Sequence, residues 1–100
     1  MIRLVWRPLA REDRAAIMDY IAEDSPGAAL DLDELIEEKT NALIDHPHLY
    51  KPGRMKGTRE MVVNPNYVVV YQENKTEVVI LRVLQARQQW PQPHGVNKDE

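Results

Sequence analysis

The chain has 100 residues, of which 43% are hydrophobic and 29% are charged, and it contains no cysteine. This composition is typical of one folded domain and argues against a disordered chain. The lack of cysteine excludes a disulfide scaffold, a thiol nucleophile and a zinc site built from cysteine. No apolar run approaches the roughly 18 residues that span a bilayer, and residues 1–8 lack the apolar core of a secretory leader. We therefore expect a cytoplasmic protein without a membrane-spanning segment.

The net charge of −3 is unevenly distributed along the chain. Residues 1–50 carry five basic and eleven acidic side chains, whereas residues 51–100 carry eight basic and five acidic ones. A protein that binds nucleic acid over a large surface is usually basic, because phosphate neutralisation supplies most of its affinity. The charge balance favours a protein partner and restricts nucleic acid to a local contact of the basic half.

The first half of the chain predicts one strand followed by two helices. Residues 2–6 are a short, largely apolar segment, and Pro8 suits the first turn of the helix that follows. Ser25 and Pro26 form a typical N-cap and first-turn pair for a second helix. The predicted apolar stripes are Ala10, Ile17, Tyr20 and Ile21 in the first helix, and Ala28, Ala29, Leu32, Leu35, Ile36 and Leu43 in the second. The short break between the helices predicts an antiparallel hairpin.

The second half changes to the pattern of β-structure. Residues 58–63, 67–71 and 77–84 are rich in β-branched and aromatic side chains, and short turns separate them. Residues 67–71 are apolar throughout, so we expect this strand to be buried on both faces. Loops this short join antiparallel neighbours.

These elements predict an α+β domain over residues 1–91. An N-terminal strand and an antiparallel helical hairpin precede a three-stranded antiparallel meander, and the strands form a small twisted sheet. Residues 92–100 are polar and contain proline and glycine, so we expect them to be a flexible tail.

Few residue patterns in the chain point to catalysis. The four glycines are scattered and form no phosphate-binding loop. His46 and His48 flank Pro47, but only Asp45 supplies a carboxylate at ligand spacing, which favours ordinary turn residues over a metal site. We therefore expect neither a metal nor a cofactor.

The basic loop, residues 51–59, contains Lys51, Arg54, Lys56 and Arg59 and no acidic residue. Such a loop can present cations to phosphate or to the carboxylates of a partner. The alternative is a solvated loop whose arginines pair with the acidic second helix. The residues alone leave these two interpretations open.

The end of the last predicted strand carries a second group of candidates. Arg82 and Arg87 lie there, and Trp90 follows immediately before Pro91. A tryptophan in this place either covers the core or presents an aromatic anchor to a partner. The residues favour the first of these two roles.

Three motifs in the second half are typical of one group of proteins. They are G-x-R-E at residues 57–60, P-N-Y-x-x-x-Y at residues 65–71 and A-R-x-x-W-P at residues 86–91. With the element order, they make residues 1 to about 91 resemble the RelE/ParE superfamily of type II toxin–antitoxin toxins. The resemblance implies a helical hairpin packed on a small twisted sheet, and a cognate antitoxin as partner.

The resemblance leaves two activities to distinguish. RelE-like members cleave mRNA in the ribosomal A site, which requires acid/base and phosphate-stabilising groups. ParE-like members inhibit DNA gyrase by stabilising its complex with cleaved DNA. Arg59 and Arg87 match basic positions of the RelE-like pattern. However, Val68 stands where that pattern has a catalytic arginine, Met61 replaces a second basic residue, and Gln85 replaces a frequent histidine.

We therefore predict a growth-inhibiting toxin that poisons DNA gyrase and is neutralised by its antitoxin, with no residue assigned a catalytic role. The target contacts implied by the resemblance are Arg59, Arg87 and Trp90, assisted by Arg54 and Lys56. The alternative is a ribosome-dependent mRNA interferase, an enzyme whose RNA contacts would be Arg59, Arg82, Arg87 and Tyr71. A third interpretation is a silent homologue that only binds antitoxin, because Gln85 cannot exchange protons near neutral pH.

Overall fold

Four strands of the described chain form a single sheet beside two helices. The computed structural model describes residues 1–91. The elements are β1 (Arg3–Trp6), α1 (Pro8–Ala22), α2 (Pro26–Ala42), β2 (Arg59–Asn64), β3 (Tyr67–Glu73) and β4 (Glu77–Gln85). The strand order is β1-β4-β3-β2, in which β1 is parallel to β4 and the other pairs are antiparallel. The predicted α+β architecture is confirmed.

The structure describes the chain as far as residue 91. The predicted tail, residues 92–100, lies outside the described residues, and the domain boundary at residue 91 stays a prediction. Neither helix within residues 1–91 has the length and apolar character needed to cross a membrane.

Both helices begin where the sequence supplies N-terminal signals. Each has a proline in its first turn, where the missing N–H of proline has no intrahelical acceptor to lose. The Ser25 hydroxyl accepts a hydrogen bond from the backbone N–H of Ala28 at 3.2 Å, which confirms the predicted N-cap. Arg7, which precedes α1, makes no capping hydrogen bond with its side chain.

The sheet is covered on both of its faces. Successive residues of a strand point to opposite faces, and every residue from Tyr67 to Tyr71 in β3 is buried, as predicted. Tyr67, Val69 and Tyr71 join the main core under the helices. Val68 and Val70 form a second cluster with Leu84, against which Leu81, Ala86 and Trp90 pack.

The predicted apolar stripes of the helices were wrong at two positions. Tyr20 is 67% exposed, since three residues turn a helix by about 300° and leave it some 60° away from Ile17. Ala28 is exposed because it lies about 100° around the helix from the buried Ala29. The other predicted positions are buried or partly buried against the core.

The predicted strand limits shift by one or two residues, and asparagine side chains form the turns on either side of β3. Asn64 belongs to β2, and its Oδ1 accepts hydrogen bonds from the N–H groups of Asn66 and Tyr67 at 2.8 and 3.0 Å. Asn74 Oδ1 accepts equivalent bonds from the N–H groups of Thr76 and Glu77. An asparagine that bonds its own backbone two or three residues later closes a tight turn.

One buried and one exposed aliphatic residue of α2, Ile36 and Leu30, allow a test of how this helix packs on the core. Ile36→Ala should lower the free energy of unfolding by about 2–5 kcal/mol, because Ile36 is fully buried and its loss leaves a cavity. Leu30→Ala on the same helix should change it by less than about 0.5 kcal/mol, since Leu30 is 58% exposed. Urea unfolding measures both values, and equal losses would contradict this packing.

Candidate functional site

The chain turns sharply after β4, and this C-terminal turn, residues 85–91, is bonded to the sheet. The Ala86 N–H donates to the Asn66 carbonyl at 2.7 Å, which joins the turn to the β2–β3 connection. Within the turn, the Gln88 N–H donates to the Gln85 carbonyl at 3.0 Å, and the Gln85 N–H donates to Gln88 Oε1 at 3.3 Å. The backbone on either side of Arg87 is therefore held in place.

Trp90 covers the second face of the sheet. Its indole packs against the cluster of Val68, Val70 and Leu84, and its Nε1 is buried with no hydrogen-bond acceptor among residues 1–91. The guanidinium carbon of Arg82 lies 5.3 Å from the ring centroid, a cation–π distance. Of the two roles considered for Trp90, this geometry matches the covering one rather than a projecting anchor.

Arg82 is bound by an acidic residue of α1. Asp13 accepts hydrogen bonds from Arg82 Nε at 2.7 Å and Nη2 at 3.0 Å, and also from the Val83 N–H at 3.0 Å. The hydrogen bonds that Arg82 donates to Asp13 raise the pKa of Arg82, against the opposing effect of burial. The guanidinium is therefore occupied on its polar edge by Asp13 and on its face by Trp90.

Asp13 belongs to no sequence motif, and an acidic residue in an amphipathic helix usually lies on the solvated face. Asp13 lies three residues after Ala10 and four before Ile17, which places it beside the apolar stripe rather than opposite to it. This spacing could have indicated that Asp13 lies near the core. Nothing in the sequence indicated its pairing with Arg82, which lies 69 residues later.

Arg54 joins the basic loop to the C-terminal turn. Its Nε lies 3.2 and 3.1 Å from the two carboxylate oxygens of Glu60, and its backbone N–H donates to Glu60 Oε2 at 2.8 Å. Its Nη1 donates to the carbonyl of Gln88 at 3.0 Å. Burial acts to raise the pKa of Glu60, but the hydrogen bonds from Arg54 outweigh it and the pKa is lowered.

Arg59 is held at a different place on the sheet. Its Nη1 donates to the Tyr50 carbonyl at 2.6 Å, and its Nε lies 3.3 Å from Glu73 Oε1. His48 Nδ1 approaches the same Glu73 oxygen at 3.2 Å. Only 27% of the Arg59 side chain is exposed, so it stabilises the loop before β2 and does not join the C-terminal turn.

Tyr71 is a core residue, as its place in the buried strand predicted. The side chain is fully buried and its hydroxyl donates a hydrogen bond to the Pro47 carbonyl at 2.8 Å. Burial raises the pKa of this phenol. Its hydroxyl is therefore neither exposed nor free to bind RNA in this conformation.

Unlike Arg54, which is exposed but bound to Glu60, Arg87 and Lys56 are the members of the predicted contact set that are exposed without a partner among residues 1–91. Within residues 1–91 neither side chain makes a hydrogen bond or an ion pair. Arg87 borders an open cleft of about 480 Å³, and its remaining lining is Pro65, Asn66, Tyr67, Gln85 and Ala86. The structure thus separates cations used internally from cations that face outward.

The interpretation in which the loop arginines pair with the acidic helix is wrong. Arg54 and Arg59 bind glutamates of β2 and β3, which lie next to the loop in the sheet. The α2 acids Asp33 and Glu37 instead bind Arg14 of α1, at 2.7 and 3.1 Å. Burial acts to lower the pKa of Arg14, but the hydrogen bonds that Arg14 donates to these two carboxylates outweigh it and the pKa is raised.

Comparison with known proteins identifies the family of the chain. A sequence profile described as "ParE toxin of type II toxin-antitoxin system, parDE" matches residues 4–90. The chain belongs to the ParE toxin family. It is accordingly a toxin of a type II toxin–antitoxin system, and we refer to it as a ParE-family toxin.

Individual relatives of this ParE-family toxin cover almost its whole length. Y4kP of Sinorhizobium fredii, provisionally named a toxin, is 40% identical over 91% of the chain and 93% of its own length. Toxin RelE2 of Caulobacter vibrioides is 34% identical over 86% of the chain and 97% of its own length. A solved chain of the chromosomal ParDE system from P. aeruginosa has a TM-score of 0.74 and 25% identity, over 85% of this chain and 96% of that one.

The same fold occurs in toxins with other names. YafQ from E. coli superposes with a TM-score of 0.60 at 14% identity, over 83% of the ParE-family toxin and 91% of YafQ. A likeness at this identity concerns the fold alone, and a fold can carry unrelated activities. The target of the ParE-family toxin therefore has to be argued from its own site.

The Arg54–Glu60 pair predicts a pH dependence of stability. A carboxylate whose pKa is lowered by folding stabilises the native state above its unfolded pKa of about 4.5, and this is lost as pH falls through the folded value. Glu60→Gln should therefore flatten the fall of the melting temperature between about pH 5 and pH 3.

Glu34→Gln is the matched control for this prediction. Glu34 is exposed on α2, and its side chain makes no hydrogen bond within residues 1–91. Its variant should follow the wild-type curve, and calorimetry across the pH range measures all three proteins. Parallel curves for Glu60→Gln and wild type would contradict the assigned role of Glu60.

Proposed function

We propose that this ParE-family toxin inhibits DNA gyrase by binding, without covalent chemistry of its own, and that Arg87 is its main contact. The observation that carries the proposal is the contrast between Arg87 and the other candidates at the site. Arg87 is exposed beside an open cleft. Arg59 and Arg82 are instead bound by acidic neighbours, and Tyr71 is buried with its hydroxyl bonded to a carbonyl.

The lining of the cleft supports binding over RNA cleavage. Cleavage at a 2′-hydroxyl needs an acid and a base positioned around the scissile phosphate. Gln85, Asn66 and the backbone offer hydrogen bonds there, but an amide side chain does not exchange protons near neutral pH. Tyr67 also lines the cleft but is a buried residue of β3, and the guanidinium of Arg87 suits recognition of a carboxylate or phosphate.

We also propose a cognate antitoxin as the second partner. The structural neighbours include a chain of the ParDE system and the E. coli DinJ-YafQ toxin-antitoxin complex, which supports a partner of this kind. Exposed cations such as Lys56 and Arg87 would favour an antitoxin segment rich in acidic residues. Both proposed partners imply that the toxin acts in the cytoplasm.

A ribosome-dependent mRNA interferase is the second candidate function. It is favoured by one observation, the 34% identity with the Caulobacter vibrioides protein named Toxin RelE2. In that case Arg87 would contact RNA, while the internal pairs of Arg59 and Arg82 would have to open before either residue could reach it.

The decisive experiment compares the two targets directly. Purified toxin is added to a gyrase supercoiling reaction and, in parallel, to programmed ribosomes carrying mRNA. We expect loss of supercoiling with accumulation of cleaved DNA, and uncut A-site codons. Cut codons with normal supercoiling would establish the interferase instead, and no response in either assay would favour a silent homologue.

A charge-removal pair tests the role of Arg87. Arg87→Ala should raise the toxin concentration for half-inhibition of gyrase by about 10- to 100-fold, the loss expected for one charge-assisted contact. Lys75→Ala removes an exposed cation from the β3–β4 turn at the opposite end of the sheet and should change it less than about twofold.

Both variants should keep the wild-type melting temperature, because neither side chain makes a hydrogen bond or an ion pair within residues 1–91. Equal potency of Arg87→Ala and wild type would contradict the proposed contact. Point substitution is preferable to deleting residues 86–100, because that deletion also removes Trp90 from the second face of the sheet.

A further inference from the structure

We propose that Asp13 of α1 is a positioning residue for Arg87, acting through Arg82 and Trp90 to fix the C-terminal turn. The inference rests on the proposed function of Arg87 as the target contact. It assigns part of the toxic activity to a helix residue that is not itself part of the contact surface.

The first link is a two-point contact between a carboxylate and a guanidinium. Asp13 accepts from Arg82 Nε at 2.7 Å and from Nη2 at 3.0 Å, and only 14% of the Asp13 side chain is exposed. A bidentate bond of this kind fixes the plane of the guanidinium as well as its position. Asp13 also accepts from the Val83 N–H at 3.0 Å, which ties the carboxylate to the β4 backbone.

The second link is the stacking of that guanidinium on an indole. Arg82 lies 5.3 Å from the Trp90 ring centroid, while Trp90 packs on Val68, Val70 and Leu84. Without Asp13, the flexible side chain of Arg82 would regain its freedom, and water would solvate the guanidinium away from the ring. The Trp90 indole would then lose the group that covers it, which loosens its packing on the second face of the sheet.

The third link is the position of Arg87 within the turn. On its N-terminal side, the Ala86 N–H is bonded to the Asn66 carbonyl at 2.7 Å. On its C-terminal side, Trp90 is the apolar anchor, and Arg54 Nη1 donates to the Gln88 carbonyl at 3.0 Å. Without the Trp90 anchor, the chain after Arg87 would be held only by the Gln85–Gln88 hydrogen bonds and by Arg54, with no apolar contact to the sheet, so Arg87 would sample more orientations.

The chain contains a natural control for this arrangement. Arg14 donates from Nε to Asp33 Oδ1 at 2.7 Å, and its guanidinium carbon lies 5.0 Å from the Trp6 ring centroid. This second arginine–aspartate–tryptophan set joins α1, α2 and β1, and none of its members belongs to the C-terminal turn. Asp33→Asn therefore removes a comparable pair without touching the proposed route to Arg87.

The test compares Asp13→Asn with Asp33→Asn in the full chain. Toxicity is measured as gyrase half-inhibition in vitro and as growth inhibition on induced expression in cells. Exposure of Trp90 is measured by acrylamide quenching in a Trp6→Phe background, where Trp90 is the remaining tryptophan. Circular dichroism and the melting temperature report the integrity of the fold.

We expect Asp13→Asn to weaken gyrase inhibition by about 5- to 10-fold and to raise the quenching constant of Trp90 about twofold. Asp33→Asn should leave both quantities within about 1.5-fold of the parent, even if it lowers the melting temperature as much as Asp13→Asn does. If Asp13→Asn does not fold, Arg82→Lys replaces it, because lysine keeps the charge but loses the planar stacking group. The same changes are expected of that variant.

Three results would overturn the inference. They are a loss of potency without greater quenching of Trp90, greater quenching at unchanged potency, and equal losses of potency in the Asp13 and Asp33 variants. A parent protein that stops growth without affecting gyrase overturns only the proposed target, and growth inhibition then decides the role of Asp13. A parent that affects neither overturns the proposed function and this inference together.

Discussion

The burial of β3 on both faces is the constraint on which the rest of the described structure depends. A strand of five consecutive apolar residues must be covered twice, and the helical hairpin can cover only one side. The second side is left to whatever follows β4, which is why Trp90 packs there on Val68 and Val70. The segment with the candidate contact residue is therefore also a layer of the core.

The charged side chains follow the same division between the core and the outer surface. The arginines that lie against the sheet or between the helices are each matched by carboxylates: Arg14 with Asp33 and Glu37, Arg54 with Glu60, Arg59 with Glu73 and Arg82 with Asp13. A half-buried guanidinium without such a partner would be costly. The cations of residues 1–91 that face outward without such a partner include Arg87. The role of a basic residue in this chain therefore depends on which side chains surround it.

The sequence predicted what periodicity and local chemistry control. Ser25 and Pro26 marked the start of α2 and the run of residues 67–71 marked the doubly buried strand, because both signals lie within a few residues. The pairing of Asp13 with Arg82 could not be read in the same way, since 69 residues separate the two and only the packing of α1 on β4 brings them together. The sequence names the candidate cations, but which of them face outward depends on such long-range pairs.

The parallel pairing of β1 with β4 has a consequence for the synthesis of the protein. The first strand in the chain finds its neighbour about 74 residues later, as in the Arg3–Glu77 ion pair. Contacts so distant in sequence form late, because the intervening chain must first be made and ordered. The nascent chain cannot complete its sheet while β4 is still inside the ribosomal exit tunnel. In a ParE-family toxin of this topology, the sheet is therefore completed only after both helices, β2 and β3 have been synthesised.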